Sequence, residues 1–119
     1  MMKTAAGQGA GADRPEDAAP IFAALGDPVR LAMVVRLCRE GPLATTELKR
    51  GAGLTRQGLT KHLKVLESAG VVSSGRVGRD REWQLEGQQL AAIRACLDRI
   101  SAQWDARIER LRAFVEGKD

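Results

Sequence analysis

The sequence predicts a mainly α-helical fold with one small β-hairpin. Three observations support this: start and stop signals for short helices before residue 70, two β-type runs between residues 71 and 85, and a long apolar repeat after residue 88. A length of 119 residues and a hydrophobic content of 44% suit one domain with one core. We therefore expect a single domain over residues 16–119, preceded by a disordered tail over residues 1–15.

Two helices are predicted first. A short one begins at Glu16, is closed by Gly26, and has its apolar positions at Ala19, Ile21, Phe22 and Leu25. Asp27 before Pro28 starts the second, because Asp accepts hydrogen bonds from free backbone N–H groups and proline in the first turn loses nothing by lacking one. This second helix ends at about Glu40, and its apolar stripe is formed by Leu31, Val34, Val35 and Cys38.

A helix, a glycine-containing turn and a second helix follow. The first is short, near Thr45 to Arg50, and the second covers about Arg56 to Ala69, with Thr55 as its N-cap and Gly70 as its terminator. On a helical wheel, the core-facing stripe of the longer helix consists of Leu59, Leu63 and Leu66. The opposite face is wholly polar and consists of Gln57, Thr60, Lys61, Lys64 and Ser68.

The hairpin comes next. Two β-type runs, Val71–Ser74 and Glu82–Leu85, flank a loop rich in glycine and arginine, Gly75–Arg81. Trp83 lies between polar neighbours, as expected when one face of a strand covers a core. We interpret this segment as a wing with a flexible loop, so that the chain as a whole is predicted to be a winged helix-turn-helix of about five helices.

A long last helix is predicted from about Gln88 to Glu116, because this stretch contains neither proline nor glycine. Its apolar residues follow a seven-residue a/d spacing, with Arg107 as the departure: Leu90, Ile93, Leu97, Ile100, Trp104, Leu111 and Phe114. Ile108 and Val115 widen this stripe. So regular a stripe predicts a partner helix, for which a second copy of the chain is the candidate; packing within one chain is the alternative.

Positive charge is concentrated in the middle of the chain. Residues 44–81 hold eight basic and three acidic side chains, a net charge of +5, whereas the rest holds eleven basic and twelve acidic ones, a net charge of −1. A polyanion would be drawn to this middle third, although a solvated basic face without a partner has the same charge pattern.

These features predict that the chain binds double-stranded DNA. The polar face of the longer helix suits the major groove, where amide, hydroxyl and cationic side chains match the base edges, and we assign base reading to Gln57, Thr60 and Lys61. Arg56, Lys64 and the free N–H groups behind Thr55 are better placed for phosphates. On the wing, the residues predicted to reach the DNA backbone or the minor groove are Arg76, Arg79 and Arg81.

Other classes of function find little support. No stretch approaches the roughly 20 apolar residues that span a bilayer, no signal peptide is evident, and two cysteines make no disulfide framework, so we expect a cytoplasmic protein without a membrane partner. His62, the only histidine, lies beside the core stripe, which favours packing or hydrogen bonding over a phosphate contact or metal ligation. No nucleophile motif or phosphate-binding loop is present, and we predict neither an enzyme nor a cofactor.

Three blocks of the sequence resemble the ArsR/SmtB family of bacterial winged-helix repressors. The blocks are residues 24–30 (ALGDPVR), 60–72 (TKHLKVLESAGVV) and 78–85 (GRDREWQL), and the resemblance spans roughly Ile21 to Val115. It implies a homodimer held by its terminal helices, which binds an imperfect palindrome in its own or a neighbouring promoter and represses it.

The chain also departs from that family's metal sensors. Their third-helix motif contains paired cysteines, whereas residues 44–48 (ATTEL) contain none, and the last helix lacks the His and carboxylate set used for zinc or nickel, so we predict no metal site. Some relatives sense oxidants with cysteines on the second and last helices, but the positions of Cys38 and Cys96 do not match theirs. A thiol-responsive repressor using these two residues remains one alternative, and a winged-helix protein-interaction module without specific DNA binding is another.

Overall fold

A computed structural model describes residues 15–117 and confirms the predicted fold class. The elements in chain order are α1 (Pro15–Leu25), α2 (Pro28–Glu40), β1 (Leu43–Ala44), α3 (Thr45–Lys49), α4 (Arg56–Ser68), β2 (Val72–Val77), β3 (Asp80–Leu85) and α5 (Gly87–Val115). The predicted tail lies outside the described residues except for Pro15, which is the first residue of α1 rather than part of a tail. Proline suits this place because the first turn of a helix needs no N–H donor.

Helix α2 begins and ends where the sequence predicts, but it buries a different face. Asp27 accepts hydrogen bonds from the backbone N–H groups of Val29 and Arg30, and Gly41 ends the helix with a φ of +84°. The buried residues are Met33, Val34 and Leu37. Of the predicted stripe only Val34 is buried, and the exposed members are Leu31, Val35 and Cys38. Because α2 is apolar on two sides, spacing alone could not identify the side that packs.

Three antiparallel strands form the sheet, in the order β1-β3-β2. The sequence did not indicate β1, which is only two residues long and pairs Leu43 with Trp83 and Ala44 with Glu82. The predicted loop over Gly75–Arg81 is too long, since β2 and β3 pair almost to the tip and only Gly78 and Arg79 lie between them. Gly78 has a φ of +62°, which the first position of a tight type II′ hairpin turn requires.

The core lies between the helices and one face of the sheet. Leu59, Leu63, Leu66 and Val71 are completely buried, and Trp83 of β3 is 2% exposed. Gly70, with a φ of +80°, makes the turn from α4 into β2. The wing and α4 therefore share one core, which fixes the orientation of the strands relative to the helix.

Helix α5 extends beyond this core. Ile93 is buried and Leu90 packs against the same cluster, so both belong at least partly to the protomer's own core rather than to a surface free for a partner. From Leu97 to Gly117 every residue is exposed except Ala113, which is half-buried. Among the described residues, no single helix is long and apolar enough to cross a membrane, while α1 and α2 together have that length and composition only as a pair bent by 94°.

Candidate nucleic-acid interface

Helix α4 is anchored by one face and presents the other to solvent. Its three buried leucines are each 0% exposed, as the helical wheel predicts. Thr55 caps the helix, because its Oγ1 accepts a hydrogen bond from the N–H of Gly58 at 3.0 Å. The polar face therefore points away from the core, and Thr55, Arg56 and Gln57 at the start of the helix are exposed.

The predicted base-reading residues lie together on this face. Gln57 and Lys61 are exposed and Thr60 is half-buried, one turn from the N-terminus of α4. A shallow concavity over the first turns is lined by Thr55, Arg56, Gln57, Gly58, Thr60 and Lys61. Lys64 is exposed one turn further along. The surface thus offers hydroxyl, amide and ammonium groups side by side.

The three wing arginines are all exposed, but two of them lie in paired strands rather than in a loop. Arg76 and Arg81 face one another across paired strands, and Arg79 lies in the tight turn. Arg81 donates from Nη1 to Oγ of Ser74 at 3.0 Å, and that hydroxyl donates to Oε2 of Glu67 on α4, also at 3.0 Å. One of the three cations is therefore tied to the C-terminal end of α4.

A carboxylate that the sequence analysis did not single out lies at the other end of α4. Oδ1 of Asp80 is 3.7 Å from Nη2 of Arg56, the first residue of the helix. Oδ2 of Asp80 accepts from Oγ1 of Thr46 at 2.8 Å and from its backbone N–H at 3.3 Å. In the sequence, Asp80 is one acidic residue among the arginines of the wing. Counting charges only lowers the net charge of residues 44–81 by one for it and gives no hint of its partners.

These contacts favour the ionised form of Asp80. Hydrogen bonds from the N–H of Arg81 and the hydroxyl of Thr46 lower the pKa of Asp80 below its usual value of 3.8, against an opposing effect of desolvation. The charge of nearby Arg56 acts in the same direction as the hydrogen bonds. The basic surface therefore contains one fixed negative charge between the wing and the helix-turn-helix.

His62 supports α4 from behind, which agrees with the predicted hydrogen-bonding role. Its Nδ1 lies 3.4 Å from Nη1 of Arg30 on α2. Arg30 in turn donates from Nε to the carbonyl oxygen of Ala24 at 2.6 Å. Arg30 is the donor in the contact with His62, because a guanidinium has no acceptor. The contact joins α4 to the α1–α2 junction.

The described residues contain no group of three or more His, Cys, Asp or Glu side chains that could hold a metal ion. Cys38 and Cys96 are both free thiols. Cys38 is exposed on α2, whereas Cys96 is half-buried in a groove between α1 and α5. The thiol-responsive alternative stays a prediction.

The fold and this surface define a winged helix-turn-helix protein. A family model described as a helix-turn-helix domain matches residues 25–74. The HTH-type transcriptional regulator Rv2034 of Mycobacterium tuberculosis is 45% identical over 77 residues, which are 65% of this chain and 71% of that protein. The HTH-type transcriptional repressor SmtB of the same species is 37% identical over 76 residues, 64% of this chain and 56% of that protein.

Solved structures agree with these sequence relatives. An ArsR-like transcriptional regulator from Rhodococcus sp. RHA1 is 31% identical, superposes with a TM-score of 0.69, and aligns over 83% of this chain and 92% of its own. The chain belongs to the ArsR/SmtB family of winged-helix transcriptional regulators.

Proposed function

We propose that this protein is a sequence-specific transcriptional repressor that binds, as a homodimer, a palindromic operator in its own or a neighbouring promoter. The observation that carries this proposal is the two-sided character of α4. Three leucines at 0% exposure hold one face, and the opposite face presents polar and cationic side chains, those of Gln57, Thr60, Lys61 and Lys64. A helix held in this way can enter a major groove without losing its place in the core.

Within this surface we assign two kinds of contact. Gln57, Thr60 and Lys61 read base edges, since amide, hydroxyl and ammonium groups match the donors and acceptors of the major groove. Arg56 and Lys64 contact phosphates, which supply affinity without sequence information.

The outer parts of the surface contact the DNA backbone in this proposal. Thr55 orients the first turn of α4, whose free N–H groups point toward an approaching phosphate. The wing arginines flank the groove that α4 enters, and the stiff paired strands that carry them favour a fixed approach to the backbone or the minor groove. These cations are Arg76, Arg79 and Arg81.

The homodimer is supported by the exposed stripe of α5. Seven large hydrophobic residues on this helix are between 44% and 81% exposed: Leu97, Ile100, Trp104, Ile108, Leu111, Phe114 and Val115. A monomer rarely exposes so extended an apolar surface, and a second copy carries the same stripe. Residues 16–119 would then act as one DNA-binding and dimerisation domain, with Leu90 and Ile93 linking the core to the interface.

Footprinting on the promoter region of the protein's own gene tests this function. Two copies of α4 related by a two-fold axis should protect two half-sites about 10 base pairs apart, with related sequences in opposite orientation. Protection without a dyad would contradict the homodimer on a palindrome, and absence of protection there and in the neighbouring promoters would contradict the repressor itself.

A further inference from the structure

Asp80 occupies a junction of three elements. It is the first residue of β3, directly after the tip of the wing, and its carboxylate contacts Thr46 at the start of α3 and Arg56 at the start of α4. The same carboxylate accepts from the N–H of Arg81 at 2.7 Å. One side chain thus contacts the wing and both helices of the helix-turn-helix.

The contacts to Thr46 extend the pairing between β1 and β3. The backbone pairs are Leu43 with Trp83 and Ala44 with Glu82. Where the chain then turns into α3, side-chain hydrogen bonds continue the contact with β3. The hydroxyl of Thr45 donates to the carbonyl of Arg81 at 3.2 Å, and the hydroxyl of Thr46 donates to Asp80. Strand β3 is therefore attached over four successive residues to residues 43–46, which form β1 and the start of α3, and Asp80 is the attachment nearest the wing tip.

The carboxylate of Asp80 should lower the affinity for DNA, unless it also positions groups that bind the DNA. A negative charge on a surface that meets phosphates weakens affinity for every duplex, whatever its sequence. The ion pair itself adds little stability, because the Arg56 and Asp80 side chains are 55% and 22% exposed and such pairs contribute little to folding. The contacts of Asp80 to Thr46 and Arg56 instead fix the placement of groups that meet DNA in the proposed function.

We propose that Asp80 is a positioning residue for DNA recognition, which locks the wing to the start of α3 and holds Arg56 beside the first turn of α4. This inference rests on the proposed function. In the free protein Arg56 pairs with Asp80, and at the operator a phosphate takes the place of that carboxylate as the partner of Arg56, while Thr46 continues to hold the wing. Asp80 thereby favours the complex in which α4 and the wing are both seated on the operator over complexes with other DNA.

The test uses the full chain and two duplexes: one that the wild-type protein selects from a random pool, and a scrambled duplex of the same composition. Asp80→Asn should weaken binding to the selected duplex by about tenfold, because a hydrogen-bonded charge is lost from the junction. The scrambled duplex should be bound as tightly or slightly more tightly, since one negative charge is removed. The ratio of the two affinities therefore falls.

Glu82→Gln is the matched control, because it removes the same charge from an exposed residue of the same strand outside this junction. It should raise affinity for both duplexes by one factor and leave their ratio unchanged. Thr46→Val removes the donor while keeping the charge of Asp80, and it should lower the ratio without raising affinity for the scrambled duplex.

The inference is overturned if Asp80→Asn and Thr46→Val, both melting near the wild-type temperature, preserve the ratio as Glu82→Gln does. If Asp80→Asn fails to fold, Thr46→Val decides alone. A wild-type protein that selects no duplex would overturn the proposed function, and this inference with it, whereas selection by the wild type and both variants alike overturns only the inference.

Discussion

Nε1 of Trp83 donates a hydrogen bond to Oγ1 of Thr45 at 2.9 Å, and both residues are buried, at 2% and 4% exposure. The Thr45 hydroxyl donates in turn to the carbonyl of Arg81. This pair joins the wing to the start of α3 inside the core. It is a polar contact that an aliphatic residue of the same shape could not replace.

Thr45→Val should therefore lower the free energy of unfolding by about 1–3 kcal/mol, because the buried indole N–H loses its acceptor. Urea unfolding followed by tryptophan fluorescence measures the change. Thr45→Ser keeps the hydroxyl and is the matched control, with a smaller loss. Equal losses for the two variants would mean that the methyl group, rather than the hydrogen bond, carries the stabilisation.

Gly70→Ala should destabilise the protein by about 1–2 kcal/mol, since a Cβ is disfavoured at positive φ. The φ of Gly70 is +80°, and an added Cβ would lie 2.8 Å from Nε2 of Gln89. Gly75 is the control, because it lies in paired strand without a positive φ and its Cβ would meet no atom within 4 Å. A Gly70→Ala variant with the urea midpoint of Gly75→Ala would contradict the assigned conformation.

Trp104→Glu should convert a dimer into a monomer, because a charge would be placed within the apolar stripe of α5. Trp104 is 59% exposed, so the protomer's own core is left intact. Ala102→Glu places the same charge at an exposed position outside the stripe and should leave the dimer unchanged. Sedimentation equilibrium measures both. Should Trp104→Glu remain dimeric, the interface lies elsewhere.

Acid should destabilise the protein partly through Asp27. Burial raises the pKa of Asp27, but hydrogen bonds from the N–H groups of Val29 and Arg30, with the charges of Arg30 and His62, outweigh it and bring the pKa below 3.8. Because the pKa of Asp27 is lower in the folded than in the unfolded protein, ionised Asp27 stabilises the fold at pH values above its unfolded pKa. This stabilisation is lost as the pH falls through the folded pKa.

Asp27→Asn keeps a capping oxygen but cannot ionise, so its stability should fall less steeply than that of the wild type below about pH 4. Thermal melts across the acid range measure this slope. If the two proteins lose stability in parallel, Asp27 makes no contribution to acid sensitivity.

The sequence predicted most helices well because their ends depend on local chemistry. Asp27 and Thr55 cap their helices through bonds to residues two or three positions away, and Gly70 turns the chain by its own φ. The core-facing stripe of α4 was equally readable, because Leu59, Leu63 and Leu66 share one side of the helical wheel and are each 0% exposed.

Features that depend on distant partners were not readable. The strand β1 exists only because β3 pairs with it, and the buried face of α2 is chosen by what packs against it. Asp80 is distinguished from other wing residues by its contacts to Thr46, which lies 34 positions earlier, and to Arg56 on α4. Ile93 shares its spacing with the exposed stripe but belongs to the core, because the body of the domain ends beyond it.

Base reading by the exposed face of α4 is tested most directly by selecting duplexes from a random pool with Gln57→Ala and Lys64→Ala. Gln57→Ala should select a different base at one position of each half-site, because the lost amide discriminates by about 1–3 kcal/mol. Lys64→Ala should select the wild-type sequence and bind all duplexes more weakly. Equal losses on selected and random DNA for both variants, with an unchanged selected sequence, would show that this face of α4 does not read bases.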